Sequence, residues 1–241
     1  MKRVVILQPQ FFPWRGVFEQ IRLADIYVHF DDVAFPQGRS FLTRVQVKTR
    51  QGPAWLTVPV RRDGERIRDV QTDDSQPWRT RHLKTLQQVY ASAPYVDDML
   101  DIVRAVYAAP ETSLSAINSL AIEKVSRYLG LKCTFKRSSD LGGSGKGQDR
   151  LLEIANHLGA NVYLTGHGAL NYLLPTPFEN AGVGVEVMDY RRGRYPQIHG
   201  EFDPHVSILD LIANTGQKAS THLESQSLEW GEYERTREVS T

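Results

Sequence analysis

The sequence lacks most of what common site chemistries need. A single cysteine, Cys133, among 241 residues excludes an internal disulfide framework. With no recognisable leader at the start, it predicts a reducing, cytoplasmic setting. Charge of one sign is also missing. The 29 Lys and Arg against 28 Asp and Glu leave a net charge of +1, without the basic stripe that nucleic acids or membrane surfaces select. No apolar run approaches the ~18 residues that a membrane span requires. The seven histidines show no HxxxH spacing, and one cysteine permits no CxxC, so no metal-ligand pattern is present. There is no G-x-S-x-G nucleophile elbow, and Cys133 stands in an apolar strand that suits an inert thiol. These absences leave a small-molecule substrate as the expected partner, with no nucleic acid, no membrane and no metal. The oligomeric state stays open.

What is present is patterned. Residues 4–7 (VVIL) form an apolar run without alternation, as in a parallel strand buried on both faces. Residues 16–24 have helical spacing and 25–30 (DIYVHF) form a second strand, so the first 30 residues are a compact βαβ unit. Residues 41–48 and 54–60 read as an appended hairpin turning through Thr49–Pro53. Helices are predicted at 78–91, 95–109 and 113–129. The last is capped by Ser113 and closed by Gly130, and the three form a helical lobe over about 78–130. Strands at 132–139, 161–165 and 183–190 and helices at 147–158 and 207–213 follow. The alternation predicts an α/β fold on a parallel, Rossmann-like sheet. A single domain over 1–216 would be followed by a polar, patternless tail over 217–241.

Five stretches carry candidate chemistry. The first, QPQFFPWRG at 8–16, lies between the first strand and the first helix, where open α/β sheets bind ligands. Gln8 and Gln10 both donate and accept. Pro9 and Pro13 stiffen the loop, Phe12 and Trp14 offer rings for stacking, and Gly16 opens the helix. Equally, its aromatics could plug the core of a rigid turn. The second is His29-Phe30-Asp31-Asp32, a carboxylate pair at a strand end suited to acid–base work. Adjacent strand residues point to opposite faces, so one of the two carboxylates would face a site. The third is the glycine-rich loop 139–150. Lys146, Asp149 and Arg150 sit there in a phosphate- or carboxylate-cradling context. It is not a Walker A loop, since Asp140 and Gly147 stand where that motif needs glycine and Ser or Thr. A flexible surface loop is the competing reading. The fourth is Gly166-His167-Gly168, directly after a strand, where a histidine between glycines suits a ligand-facing role. The fifth spans Tyr195 and His205, ahead of a helix for which Ser207 and Asp210 form a variant capping box. Arg44, on the hairpin, completes the set of candidate binding residues.

VVILQPQFFPWRGVFEQIRLADIYVHFDDVAF, followed by TRVQVKT, WLTVPV, LGANVYLTG and FDPHVSILDLIANTG, resembles the WbqC-like family over about residues 3–216. The resemblance implies a place in bacterial surface-polysaccharide (O-antigen) or natural-product biosynthesis. It also implies transfer of glycine or a similar amino acid to a sugar. The layout of the first βαβ unit is similar to that of nucleotidylyltransferase-like enzymes, pantothenate synthetase among them, which supports the fold. Only Gly16 matches their His-x-Gly-His signature; Trp14 and Val17 stand in place of its histidines.

The expected function is therefore a transferase or ligase forming an amide bond. It would move an acyl or aminoacyl group, glycine in the first instance, onto a sugar nucleotide, an amino-acid derivative or another small metabolite. Asp31, Asp32 or His167 would move the proton. Gln8, Gln10, Phe12, Trp14, Gly16, Arg44, Lys146, Asp149, Arg150, Gly166, Tyr195 and His205 would bind substrate. Whether a cofactor is needed stays open, with ATP the candidate. An ATP-dependent nucleotidylyltransferase-like enzyme and a non-catalytic scaffold of a biosynthetic complex are the alternatives.

Overall fold

The computed structural model describes residues 1–62 and 64–238. In chain order, β1 (Arg3–Leu7), α1 (Arg15–Leu23) and β2 (Ile26–His29) form the opening βαβ unit. Next come a hairpin, β3 (Arg44–Thr49) with β4 (Gly52–Thr57), and a second small pair, β5 (Val60–Arg62) with β6 (Val70–Thr72). Helices α2 (Trp78–Val89), α3 (Val96–Tyr107) and α4 (Leu114–Tyr128) precede β7 (Thr134–Arg137), α5 (Gly147–His157) and β8 (Val162–Thr165). The chain continues with α6 (Thr176–Asn180), β9 (Gly184–Asp189), α7 (Ile208–Thr215), β10 (Gln226–Glu229) and α8 (Trp230–Glu238).

The main sheet runs β10-β9-β8-β1-β2-β7. Every pairing in it is parallel except that of β10 with β9. Strand side chains alternate between faces, so each strand feeds two cores. Val5, Tyr27, Leu164 and Met188 face a core shared with α1–α4, the hairpin and α7. Val4, Ile6, Val28, Tyr163, Val185 and Val187 face a second core under α5, α6 and α8. This double burial explains the unbroken apolar run at 4–7. The α/β architecture expected from the sequence is the one observed, with the hairpin packed into the first core. The helices over 78–130 share that core instead of burying one of their own.

Three local expectations change. Ser138 and Ser139 leave the expected strand for a 3₁₀ turn over Ser138–Asp140, because their polar groups bond Asp31 and Asp32. Ser207 caps α7 through Leu209 N–H at 3.2 Å, but Asp210 does not complete the box. Its carboxylate accepts from the Tyr90 and Tyr195 hydroxyls at 3.0 and 2.9 Å instead. The segment expected as a patternless tail carries β10 and α8. Strand β10 pairs with β9 at the sheet edge, and Trp230 and Tyr233 join the second core. Two buried aromatics and one edge pairing anchor a sequence whose own periodicity is weak.

The β1–α1–β2 connection leads to one side of β1, while β8 lies on its other side. The crevice at the carboxyl ends of β1 and β8 is therefore a topological switch point, the place where open parallel sheets accept ligands.

Candidate functional site

A cavity of about 840 Å³ occupies that switch point. The loop after β1 supplies Gln10, Phe11 and Trp14; the loop after β8 supplies Gly166, His167 and Gly168; the end of β9 supplies Asp189, Tyr190 and Arg192. A smaller hollow of about 350 Å³ adjoins it, lined by Gln8, Phe30 and Gly147 and sharing Leu7, Gln10 and Tyr172 with the larger one.

The 8–16 loop is held from several directions. Asn118, fully buried in α4, donates to the carbonyls of Pro9 and Leu42 at 2.8 and 2.9 Å. Phe11 N–H donates to Phe41 O at 2.9 Å, Ser207 Oγ donates to Phe12 O at 2.8 Å, and Ile208 N–H donates to Pro13 O at 2.9 Å. Phe12 adopts a left-handed φ of 38°, sparsely populated for a bulky residue. That turn sends its ring into the core against Phe11 and Tyr107. Phe12 is thus a core plug, whereas Trp14 forms pocket wall, edge-on to Tyr190 with centroids 4.6 Å apart. Gly16 makes this possible: a Cβ there would lie 2.4 Å from the Trp14 indole. Behind the wall, buried Arg15 donates to Tyr190 Oη at 2.8 Å and lies over the Tyr195 ring.

On the opposite side, His167 Nδ1 lies 3.2 Å from Tyr233 Oη. Burial raises the Tyr233 phenol above its ordinary pKa, with the nearby Asp189 charge adding to the effect, which keeps it protonated at neutral pH. His205 is exposed and tilts against Trp14 at 6.0 Å.

The carboxylates Asp31 and Asp32 do not line this cavity. Asp31 accepts from Ser139 N and Ser139 Oγ, each at 3.0 Å. Asp32 accepts from Ser138 Oγ at 2.6 Å and from Arg150 Nη2 at 2.7 Å. Arg150 also donates to Ser138 O at 3.0 Å and to Glu153 at 2.9 Å. Burial opposes the Arg150 charge, but its bonds to Glu153 and Asp32 outweigh this and raise its pKa. The glycine-rich loop closes over the same group. Ser144 N–H and Gly145 N–H donate to the Glu153 carboxylate at 3.3 and 3.2 Å. That carboxylate is held below its ordinary pKa by Arg150 and the Gly145 N–H. The expected anion cradle is thus filled by the protein's own carboxylate, and the group fastens β2 to β7 and α5.

Of the residues singled out in the sequence, Gln10, Trp14, Gly166, His167 and His205 meet in the larger cavity, and Gln8 lies in the adjoining hollow. Gly16 supports from behind. Asp31, Asp32 and Arg150 form the clamp. Lys146 precedes α5 and Asp149 stands in its first turn, both exposed. Arg44 stacks over Trp55 at 3.9 Å on the hairpin, and Tyr195 is buried against Asp210. His29 is a core side chain, 3.2 Å from Glu123 and stacked on Phe135. Burial lifts the Cys133 thiol to about 12, in keeping with an inert role. Sequence reasoning missed Gln20, Tyr172, Asp189, Tyr190, Arg192 and Tyr233. Asp189 and Tyr190 carried a usable signal, because they end a strand of the parallel sheet. Tyr233 carried none.

The WbqC-like protein family matches residues 8–222, and the chain belongs to that family. An uncharacterised protein of Mycobacterium tuberculosis is 32% identical over 228 residues, which span 92% of this chain and 98% of that relative. No solved structure matches the chain significantly. Among the described residues, no helix is long and apolar enough to cross a membrane.

Proposed function

We propose that the protein is a transferase or ligase that forms an amide bond, moving an acyl or aminoacyl group onto a sugar or other small metabolite held in the switch-point cavity. The observation that carries this reading is the pair of adjoining cavities meeting at Leu7, Gln10 and Tyr172. A group transfer needs donor and acceptor side by side, and holding both in one geometry removes much of the entropic barrier. The Trp14 and Tyr190 rings suit the C–H face of a sugar, and the amide of Gln10 at the junction suits hydroxyl or carbonyl groups of either substrate. Glycine is the transferred group that the family resemblance implies.

In this reading the acceptor amine attacks the acyl carbon, the leaving group departs with its electron pair, and the amine proton passes to His167. Tyr233 fixes the orientation of the imidazole through Nδ1. His167 thus takes the proton-transfer role, and Asp31 and Asp32 keep the site's frame in place. The test is to incubate the purified protein with isotopically labelled glycine, ATP and a panel of nucleotide amino-sugars, and to look for the amide adduct by mass spectrometry. A labelled adduct that disappears in His167→Ala is expected. Absence of adduct with every acceptor, and of any ligand-induced rise in Tm, would overturn the assignment.

A further inference from the structure

Six large apolar side chains stand exposed among the described residues: Met1, Phe41, Trp55, Tyr95, Tyr172 and Leu174. Met1 precedes β1, and Tyr95 packs on Gly216, where an added Cβ would meet its ring at 2.5 Å. The others gather at the switch-point cavity. Phe41 and Tyr172, 58% and 62% exposed, line it directly. Trp55, 40% exposed, contacts Phe41 with ring centroids 6.1 Å apart, and Leu174 follows Tyr172 by two positions. Exposed apolar residues scattered singly need no explanation. Three aromatic rings around one opening are a different case, because none of them is buried enough to serve the core.

The backbone under each ring is fixed. Phe41 O accepts from Phe11 N–H at 2.9 Å, Leu42 N–H donates to Ser40 Oγ at 3.2 Å, and Leu42 O accepts from buried Asn118 at 2.9 Å. On the other side, Tyr172 N–H and Leu173 N–H donate to Ala169 O at 3.0 and 2.8 Å, and Leu174 N–H donates to Gln148 Oε1 at 3.0 Å. Leu42 enters the first core and Leu173 the second. The two rings are therefore carried on opposite faces of the sheet, with the crevice between them. Outside the cavity, Trp55 flanks Phe41, and the Arg44 guanidinium lies 3.9 Å over the indole. Trp55 pairs across the hairpin with Gln46, which lines the cavity.

We infer that Phe41 and Tyr172 form an outer subsite that takes a flat aromatic ring of the ligand, with Trp55 and Arg44 bracing the Phe41 side. Aromatic rings pair offset or edge to face, and any base can stack on an exposed side-chain ring because every base has a π-face. A flexible aliphatic chain is better served by an enclosed trough of branched side chains, whereas the exposed walls here are ring faces. Trp14 and Tyr190, both partly buried, line the same cavity, so the outer ring is a second element of the ligand, joined to the group held against them. Two sources supply such a ring: the nucleobase of a nucleotide-linked acceptor, or an aryl group on the acyl donor. This rests on the proposed function only in placing the substrate in this cavity.

Ligand-observed NMR titration with two matched pairs, uridine against ribose and benzamide against cyclohexanecarboxamide, tests it without turnover. In at least one pair the aromatic member is expected to bind roughly fivefold or more tightly than its counterpart. A larger gain for uridine identifies a nucleobase, and a larger gain for benzamide identifies an aryl acyl group. Phe41→Leu and Tyr172→Leu keep an apolar side chain but lose the π-face. Each should weaken the aromatic member by roughly fivefold and leave its counterpart unchanged, whereas Tyr172→Phe should bind as wild type does. Both leucine variants should keep Tm within about 2 °C of wild type, as for other exposed positions. No aromatic preference in either pair, or a preference that survives both leucine variants, would overturn the assignment. So would a change of oligomeric state in Phe41→Leu by analytical ultracentrifugation, which would make the exposed rings a contact between copies. If the ring preference holds while no amide forms with any acceptor, the chemistry proposed above falls and the subsite stands. If amide forms with unchanged KM in both leucine variants, the subsite alone falls.

Discussion

Two groups of polar side chains stand at the carboxyl ends of neighbouring strands, and they differ in whether their partners are already present. The clamp at the ends of β2 and β7 joins Asp31, Asp32, Ser138, Ser139, Arg150 and Glu153 in mutual hydrogen bonds. The cavity at the ends of β1 and β8 holds Gln20, Asp189, Arg192 and His205, whose side chains form no hydrogen bond or ion pair among the described residues. The richer collection of charges is the structural one. A buried charge whose partners are all in place has no capacity left for a ligand, and removing one of those partners is strongly destabilising. Exposed side chains such as Arg192 and His205, with no hydrogen-bond or ion-pair partner among the described residues, keep that capacity.

The sharpest way to break this comparison is at Arg150. Arg150→Met removes the partner of Asp32 and Glu153 and should lower stability by about 3–5 kcal/mol, read from urea unfolding. A loss below about 1 kcal/mol would mean that the clamp is not structural.

Asp210 carries the comparison to a third place, a carboxylate held by phenols instead of a guanidinium. Burial raises its pKa to about 6, although the Tyr195 and Tyr90 hydroxyls partly offset the shift. Because the folded value lies above the unfolded one, the carboxyl supports the fold fully below about pH 4. That support is lost as pH rises through 6. The stability of wild type relative to Asp210→Asn should therefore fall by about 3 kcal/mol between pH 3 and 7. A pH-independent difference would contradict it.

Gly16→Ala comes next. Alanine is ordinarily the better helix residue by about 1 kcal/mol, but here its methyl displaces the Trp14 indole. Stability should fail to rise, and the tryptophan emission should shift as the pocket wall moves. An unchanged emission with a stability gain would show that the wall does not depend on this glycine.

The smallest stability effect belongs to His167→Ala, within about 0.5 kcal/mol of wild type as for other exposed positions. The amide-forming activity proposed above should nonetheless drop by about 10²-fold or more in this variant. Equal activity in the variant would move the proton transfer to another residue.

Much of this was legible in the sequence. VVIL, the helix after Gly16 and DIYVHF fixed a parallel βαβ unit because their periodicities are those of two buried strands and one amphipathic helix. The position of QPQFFPWRG after the first strand marked it as a crevice loop, and Gly166-His167 was found by the same logic. The role of Asp31 and Asp32 was not legible. Residue type shows that a carboxylate can accept hydrogen bonds, but not that Ser138, Ser139 and Arg150, more than 100 positions on, are the donors.

The sequence by itself thus determined the fold class, the first strand–helix–strand unit and the end of the sheet where a ligand would sit, since these follow from local periodicity and chain connectivity. Only the tertiary structure decided which polar groups are already paired, which loops converge and that α8 lends Tyr233 to the cavity. Hydrogen-bond saturation and convergence depend on distances between residues far apart in the chain, and no local pattern encodes them.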